Sequence, residues 1–181
     1  MILVVDMNWK QDSLAFSEFV LPIVSVVKPI ERCEVKHFSD IKLSELDAYN
    51  KIVLSGTALK DHATLKQVDV FSWILDYDRP ILGICAGMQT LSLVFGEVLM
   101  PCLQIGMIEI TTQKDNPFFQ GKFQAYALHN FSVSSIKNFE VLAESSKCIQ
   151  TIKHKQKSIY GVLFHPEVRN QDILKRFVQQ S

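Results

Sequence analysis

The sequence predicts an α/β protein with a doubly wound, mainly parallel sheet, helices on both faces and an antiparallel or mixed extension in its C-terminal half. Three observations predict it. Short apolar runs alternate with helix-like segments up to residue 95, which requires right-handed crossovers between parallel strands. Five strand-like segments follow Gly96, and helical spacing returns only at residues 171–178. In such a sheet the ligand site lies at the carboxyl ends of the strands.

The first half begins with a continuous apolar run at residues 2–5, which is typical of a parallel strand covered on both faces. Residues 12–27 then place apolar side chains at helical spacing, with Asp12 or Ser13 as the N-cap. Because proline cannot donate a backbone hydrogen bond, Pro22 is expected to kink or split this helix.

Two more strands are expected at residues 34–38 and 51–54, the second running into the turn at 55–57. Residues 64–75 show helical spacing again, which predicts a second helix. The apolar residues 81–84 then form the strand that precedes the most informative stretch of the chain.

The strand-like segments of the second half extend the same sheet. They comprise residues 106–112, 123–128, 139–143, 149–153 and 159–164.

Composition indicates a single domain over residues 1–181, long enough to bury a substantial core. Lys plus Arg and Asp plus Glu both number 19, so the zero net charge predicts no general affinity for nucleic acid or membrane. The first apolar run is too short for a signal or membrane segment. The cysteines are widely separated, which predicts neither disulfides nor a metal site and fits a reducing cytoplasm; they are Cys33, Cys85, Cys102 and Cys148.

A candidate nucleophile lies in residues 83–89, which read Gly-Ile-Cys-Ala-Gly-Met-Gln. A Gly-x-Cys-x-Gly turn between a strand and a helix is the cysteine form of the nucleophile elbow, whose small residues allow close packing of a strained backbone. The following helix would direct its positive end at the sulfur and favour the thiolate. We therefore predict Cys85 as a nucleophile; the alternative is a buried structural cysteine.

A cysteine nucleophile needs a base, and the base needs an orienting group. Residues 164–167 read Phe-His-Pro-Glu and follow an apolar strand, so His165 is the candidate base and Glu167 the candidate orienter. Each residue also has an ordinary reading, His165 as a surface loop residue and Glu167 as a charge at a helix N-terminus.

Residues 83–89 together with residues 161–168, Gly-Val-Leu-Phe-His-Pro-Glu-Val, closely resemble the class I (triad) glutamine amidotransferases over nearly the whole chain. The resemblance implies the flavodoxin-like fold of that family and glutamine as substrate. It implies that Cys85 attacks the side-chain amide, that His165 acts as base and then acid, and that Glu167 orients it. Glutamate and ammonia would form through a glutamyl thioester.

Attack on an amide creates an oxyanion that needs N–H donors, and the backbone of Ala86 at the helix start is one. The family takes the other from a glycine-rich loop, here residues 55–58, so the resemblance assigns Gly56 to substrate binding and Thr57 to the oxyanion hole. Family members usually have a second glycine and often a proline at Thr57 and Ala58. The Thr57 N–H is therefore expected to need a loop change induced by a partner.

Other substrate contacts are also implied by the resemblance. Gln89 resembles a residue that helps to hold glutamine, although it could simply be a polar residue in the first helical turn. Residues 126–132, Tyr-Ala-Leu-His-Asn-Phe-Ser, resemble a family segment whose backbone near Asn130 and Phe131 meets the amino and carboxylate groups of the substrate. His129 is either a structural histidine or a contact to substrate or synthetase.

The remaining histidines match no motif and are interpreted as ordinary polar residues; they are His37, His62 and His154. The basic run at residues 153–157 is expected to form a solvated hairpin tip, with a docking patch as the alternative.

A glutaminase of this size carries no ATP-binding or acceptor domain, so another chain would be needed to use the ammonia, and ATP and Mg are expected on that synthetase with no cofactor here. Residues 143–146, 152–155 and 160–168 resemble the free-standing glutaminase subunit of GMP synthase, whose ATP-pyrophosphatase partner aminates xanthosine monophosphate. Residues 6–11 depart from the Asp-Asn-Gly-Gly-Gln opening common in that group, and Met88 replaces a frequent histidine.

Three alternatives stay open at this point. The chain could serve another synthetase, such as that of anthranilate, aminodeoxychorismate or imidazole glycerol phosphate. It could be a stand-alone gamma-glutamyl hydrolase with the same triad. It could also be a non-catalytic regulatory module on the same scaffold.

Overall fold

The computed structural model describes residues 1–180 and contains one mixed sheet of nine strands. The strands are β1 (Ile2–Asp6), β2 (Cys33–His37), β3 (Lys51–Leu54), β4 (Ile81–Ile84), β5 (Val98–Thr112), β6 (Lys122–Ser135), β7 (Phe139–Glu144), β8 (Ile149–His154) and β9 (Ile159–Val162). The α-helices are α1 (Leu14–Phe19), α2 (Leu21–Val27), α3 (Ala63–Lys66), α4 (Ala86–Val94) and α5 (Asp172–Gln179). Three 3₁₀ segments span Phe38–Asp40, Leu43–Ala48 and Val68–Leu75.

The strands follow the order β2-β1-β3-β4-β9-β8-β7-β5-β6. The first five are parallel and the last four continue the sheet in antiparallel pairs, so the predicted fold class is confirmed. The last strand in the sequence, β9, lies beside β4, with Gly161 opposite Gly83. The two sequence motifs therefore lie on neighbouring strands.

Both faces of the parallel half are covered, as a doubly wound sheet requires. Successive side chains of a strand point to opposite faces. Ile2 and Val4 accordingly belong to the core beneath α2 and α5, whereas Leu3 and Val5 belong to the core beneath α4 and the 3₁₀ segments. All four are fully buried, which explains why β1 is apolar without interruption.

Proline divides the first helical region as the sequence predicts. α1 ends at Phe19 and α2 begins at Leu21, with Val20 between them and Pro22 in the first turn of α2. Ser13 is the N-cap of α1, although its side chain donates no capping hydrogen bond and accepts none. A proline in the first turn is tolerated because its missing N–H would have no partner there.

The predicted helix over residues 64–75 is wrong. α3 ends at Lys66, and Gln67 leaves the helical region with φ −124° and ψ 39° before a 3₁₀ segment begins at Val68. Two β-branched residues, Val68 and Val70, disfavour a continued α-helix. The apolar side chains Phe71 and Ile74, three residues apart, instead meet the core with 3₁₀ spacing.

The β8–β9 hairpin contains the predicted tip, but His154 is not an ordinary polar residue. It is buried beside the rings of Phe95 and Phe139, and its Nδ1 accepts hydrogen bonds from the backbone N–H groups of residues 156 and 157. The Lys157 ammonium donates to the Tyr77 carbonyl, so this part of the basic run is tied down. None of the helices within residues 1–180 has the length and apolar character needed to cross a membrane.

Candidate active site

The elbow after β4 holds Cys85 in a strained conformation. Its φ is 49° and its ψ is −102°, values that a non-glycine residue adopts at a cost. Glycine is required on both sides: a Cβ on Gly83 would lie 2.6 Å from the carbonyl carbon of Gly87, and a Cβ on Gly87 would lie 2.6 Å from the Leu54 carbonyl oxygen. The turn is also held by the Cys85 N–H, which donates to the Val162 carbonyl at 2.8 Å.

The Cys85 side chain is 4% exposed and lies at the N-terminus of α4. Its thiol donates to the carbonyl oxygen of Leu128 on β6 at 3.4 Å. Ala86 is the first residue of α4, where backbone N–H groups have no acceptor within the helix and the dipole is positive. The residue that carries the sulfur is therefore followed directly by a helix start, whose first N–H groups are not used within the helix.

His165 and Glu167 follow β9, which ends three residues before the histidine. The His165 Nδ1 lies 2.7 Å from the Glu167 Oε1, and both side chains are 2% exposed or less. The loop is fixed because the His165 backbone N–H donates to the Tyr126 carbonyl at 2.8 Å. The Phe19 ring packs on the imidazole with centroids 5.6 Å apart.

Electrostatics favour a protonated imidazole at this place. Burial alone would lower the pKa of His165, because it removes water from the charged form. The negative charge of a Cys85 thiolate, and then that of Glu167, outweigh burial and raise the pKa of His165 well above its ordinary value. The site therefore favours the protonated form of His165 when a negative charge is present at Cys85.

The orientation of the imidazole suits proton transfer. When the ring is neutral and Nδ1 donates to the Glu167 carboxylate, Nε2 carries the lone pair. Nε2 is buried, and within the described chain no hydrogen-bond partner meets it. The structure brings Cys85, His165 and Glu167 together, and the arrangement can deprotonate a thiol and later protonate a leaving group. Their catalytic roles stay predictions.

The predicted oxyanion loop lies against the histidine. A Cβ on Gly56 would lie 2.7 Å from the His165 Cε1, so only glycine permits this approach. Thr57 is buried, and its hydroxyl donates to the Asp61 carbonyl oxygen at 3.4 Å. The Asp61 carboxylate accepts the backbone N–H of Trp9 at 2.7 Å, which ties the loop to the end of β1. No local pattern in the sequence marks Asp61, because its partner Trp9 is 52 residues away.

The other predicted substrate residues lie on α4 and β6. Gln89 is buried, and its amide donates to the Phe131 carbonyl oxygen at 3.0 Å. The Asn130 side chain reaches the loop after β3, where it donates to the Leu59 carbonyl oxygen at 3.0 Å and lies 3.2 Å from the His62 Nε2. His62, interpreted from the sequence as an ordinary polar residue, thus contacts the predicted substrate segment.

His129 is buried on β6, directly before Asn130 in the sequence. Burial lowers its pKa to about 4, so the ring is neutral at physiological pH. Its Nδ1 lies 3.0 Å from the Cys102 carbonyl oxygen, to which it donates as the neutral tautomer, and its Nε2 is buried without a partner in the described chain. This environment resembles that of a structural histidine.

Among residues 1–180, no group of three or more His, Cys, Asp or Glu side chains is arranged to hold a metal ion. The site consists of a thiol, an imidazole, a carboxylate and backbone donors, which are the groups used in acyl transfer through a covalent intermediate.

Comparison with known proteins points to the same chemistry. The family model for glutamine amidotransferase class-I matches residues 21–181. A protein of Methanosphaera stadtmanae, named as a glutamine-hydrolysing subunit of GMP synthase, is 42% identical over 136 residues, covering 71% of this chain and 70% of that protein. A protein of the same name from Methanococcus maripaludis is 34% identical over 164 residues, covering 76% of this chain and 87% of that protein.

The fold comparison agrees. A crystal structure from Thermoplasma acidophilum, assigned to the corresponding GMP synthase subunit, superposes with a TM-score of 0.84 at 27% identity and covers 98% of this chain and 91% of that one. The resemblance carried by residues 83–89 and 161–168 is confirmed: the chain belongs to the class I glutamine amidotransferase family.

Proposed function

We propose that this chain hydrolyses the side-chain amide of glutamine at Cys85 and passes the ammonia to a separate ATP-dependent synthetase for GMP synthesis from xanthosine monophosphate. The observation that carries the proposal is the buried Cys85–His165–Glu167 arrangement, in which a strained elbow presents the sulfur to an oriented imidazole.

The first half of the reaction forms the thioester. The Cys85 thiolate attacks the carbonyl carbon of the glutamine side chain while His165 holds the proton. Backbone N–H groups of Ala86 and Thr57 stabilise the oxyanion, and donors of this kind are worth about 3–4 kcal/mol each. His165 then gives its proton to the departing nitrogen, the C–N bond breaks, and ammonia leaves a glutamyl thioester on Cys85.

The second half releases glutamate. His165, now with a free Nε2, takes a proton from water, and the resulting hydroxide attacks the thioester carbonyl. The C–S bond breaks with the electron pair on sulfur, which restores the thiolate beside the protonated His165. Glu167 holds the ring in one orientation throughout, because its carboxylate accepts from Nδ1 in both protonation states.

Substrate binding uses residues of β6, α4 and the loop after β3. The backbone near Asn130 and Phe131 meets the amino and carboxylate groups of glutamine, with Gly56 and Gln89 beside its side chain. The Gln89 amide donates to the Phe131 carbonyl oxygen in the structure, so glutamine binding must rearrange or share this hydrogen bond.

The acceptor is proposed from the relatives. Proteins 42% and 34% identical to this chain are named as glutamine-hydrolysing subunits of GMP synthase, which supports a synthetase as partner and xanthosine monophosphate as acceptor. ATP and Mg then belong to the partner, and this chain works in the cytoplasm without a cofactor.

The test uses the purified chain with and without the ATP-pyrophosphatase subunit of GMP synthase. With glutamine, xanthosine monophosphate, ATP and Mg, the pair is expected to form GMP and glutamate. Cys85→Ser is expected to abolish glutamine-dependent synthesis and leave synthesis from added ammonia intact. Cys33→Ser, which changes a cysteine outside the site, is the matched control.

Each outcome decides something. Glutaminase activity without GMP formation would indicate that the chain supplies ammonia to a different synthetase. Rapid hydrolysis of gamma-glutamyl peptides by the isolated chain would indicate a stand-alone hydrolase. A fully active Cys85→Ser variant would refute the mechanism.

A further inference from the structure

The side chain of Asn130 occupies a place that its proposed backbone role does not require. It crosses from β6 to the loop of residues 57–62, and its Nδ2 donates to the Leu59 carbonyl oxygen at 3.0 Å. The second amide hydrogen is directed at the His62 Nε2, 3.2 Å away. Because a carbonyl oxygen can only accept, the amide must present its nitrogen to Leu59.

The loop that Asn130 holds carries the proposed second oxyanion donor. Within the loop, the Thr57 hydroxyl donates to the Asp61 carbonyl oxygen at 3.4 Å, and the Asp61 N–H donates to the Ala58 carbonyl oxygen at 2.8 Å. The segment from Thr57 to His62 is therefore hydrogen-bonded within itself, so a link at Leu59 and His62 restrains Thr57 as well.

Asn130 itself, on β6, lies close to the predicted nucleophile. Asn130 lies two residues after Leu128, whose carbonyl oxygen accepts from the Cys85 thiol. The next residue, Phe131, accepts from Gln89 and meets the His62 ring edge-on with centroids 5.4 Å apart. β6 thus contacts Cys85 through a backbone carbonyl and the loop of residues 57–62 through the side chains of Asn130 and Phe131.

We propose that Asn130 is a positioning residue: its side-chain amide fixes the loop of residues 57–62, and with it the backbone N–H of Thr57, against β6. Asn130 acts through the loop and not on the reacting atoms. This inference rests on the proposed glutaminase function. It means that the loop of residues 57–62, which has Thr57 where the family usually has glycine, is held by a residue of the same chain in addition to any effect of a partner.

Three variants and one control test the role. Asn130→Ala removes both hydrogen bonds, and Asn130→Asp keeps the size of the side chain but removes its donors. His62→Ala removes one end of the link. Asn138→Ala is the control, because its amide also donates to a backbone carbonyl oxygen, that of Phe95, outside the site.

For Asn130→Ala, kcat for glutamine is expected to fall about 10- to 100-fold, less than or similar to the loss of a complete oxyanion donor. The kcat of Asn130→Asp is expected to fall at least as far. Alkylation of Cys85 by iodoacetamide, which needs the thiolate but no oxyanion hole, is expected to keep its wild-type rate. His62→Ala is expected to add little to Asn130→Ala in the double variant, because both changes break one link.

Hydrogen exchange of the amides in residues 57–62 provides a readout that does not depend on activity. Asn130→Ala is expected to speed their exchange at least about fivefold, since the loop opens more often, while Asn138→Ala leaves it unchanged. A wild-type chain without glutaminase activity would count against the proposed function and not against this link.

Any of three results would overturn the inference. They are wild-type kcat in Asn130→Asp, an equal loss of kcat and of iodoacetamide reactivity in Asn130→Ala, and unchanged exchange of the loop amides in Asn130→Ala.

Discussion

Replacing Gly87 by alanine should damage the active site more than the fold. The added Cβ would stand 2.6 Å from the carbonyl oxygen and 2.7 Å from the Cβ of Leu54 on β3. Non-bonded carbon atoms keep about 3.5 Å, so the start of α4 must move away by roughly 0.8 Å. Cys85 lies two residues earlier, already at a positive φ, and cannot keep its position when the helix start moves.

The size of both effects follows from that displacement. Overpacking a core contact costs about 1–3 kcal/mol, which lowers Tm by about 2–12 °C in a domain of this length. A misplacement of about 1 Å at the reacting atoms costs about 100-fold in rate. The glutaminase kcat of Gly87→Ala should therefore fall about 100-fold in protein that is still folded at the assay temperature.

Gly121→Ala separates these effects. Gly121 has φ +67° and nothing within 4 Å of an added Cβ, so alanine there costs about 1–2 kcal/mol of backbone strain without a clash. The Tm of Gly121→Ala should fall about as far as that of Gly87→Ala, while its kcat stays near the wild-type value. If Gly87→Ala keeps kcat within about threefold of wild type, or if both variants lose kcat equally, the close contact with β3 does not position the nucleophile.

Three further changes test the surroundings of the site. Glu167→Gln should lower kcat at least about 100-fold and, because a negative charge that raises the His165 pKa is lost, move the alkaline limb of the pH–rate profile to lower pH. The raised pKa of His165 also contributes to the stability of the wild-type fold; this contribution is complete below about pH 6.5 and is lost as pH rises through the folded-state pKa. Thermal unfolding measured across pH should show a smaller loss of Tm over this range in Glu167→Gln. Gly56→Ala should lower kcat about 10- to 100-fold because the new Cβ displaces the imidazole of His165. Steady-state kinetics measure this loss, and an unchanged Tm would show that it does not come from unfolding. Glu97→Ala should cost about 1.5–3 kcal/mol in denaturant unfolding, since this buried carboxylate accepts the backbone N–H groups of residues 137 and 138, and should leave kcat unchanged.

The parts of this site that sequence could predict are those with short-range signals. The elbow of residues 83–89 and the segment 164–167 each contain their own chemistry in a few consecutive residues, and the apolar runs of the parallel strands are long enough to recognise. The sequence wrongly predicts an α-helix at residues 64–75, because apolar residues three apart fit an α-helix and a 3₁₀ segment alike.

The hydrogen bonds around the predicted oxyanion loop could not be predicted, because the residues that form them are far apart in the chain. Asn130 and Leu59 are 71 residues apart, and Trp9 and Asp61 are 52 apart. No periodicity or local motif relates such residues. They come together only because the fold places β6, the end of β1 and the loop after β3 next to one another. The same holds for Glu97, whose backbone partners lie about 40 residues later.

The pairing of β4 with β9 explains how two distant motifs come to lie in one candidate site. Gly83 lies opposite Gly161, and the elbow and the histidine loop leave the sheet from the ends of these adjacent strands. A Cβ on Gly161 would lie 2.7 Å from the Met88 Cγ, so the start of α4 rests directly on β9. Adjacent strands are held about 4.8 Å apart by their hydrogen bonds. The separation of the sulfur and the imidazole is therefore set by the register of the sheet, and the loops need only orient the two side chains.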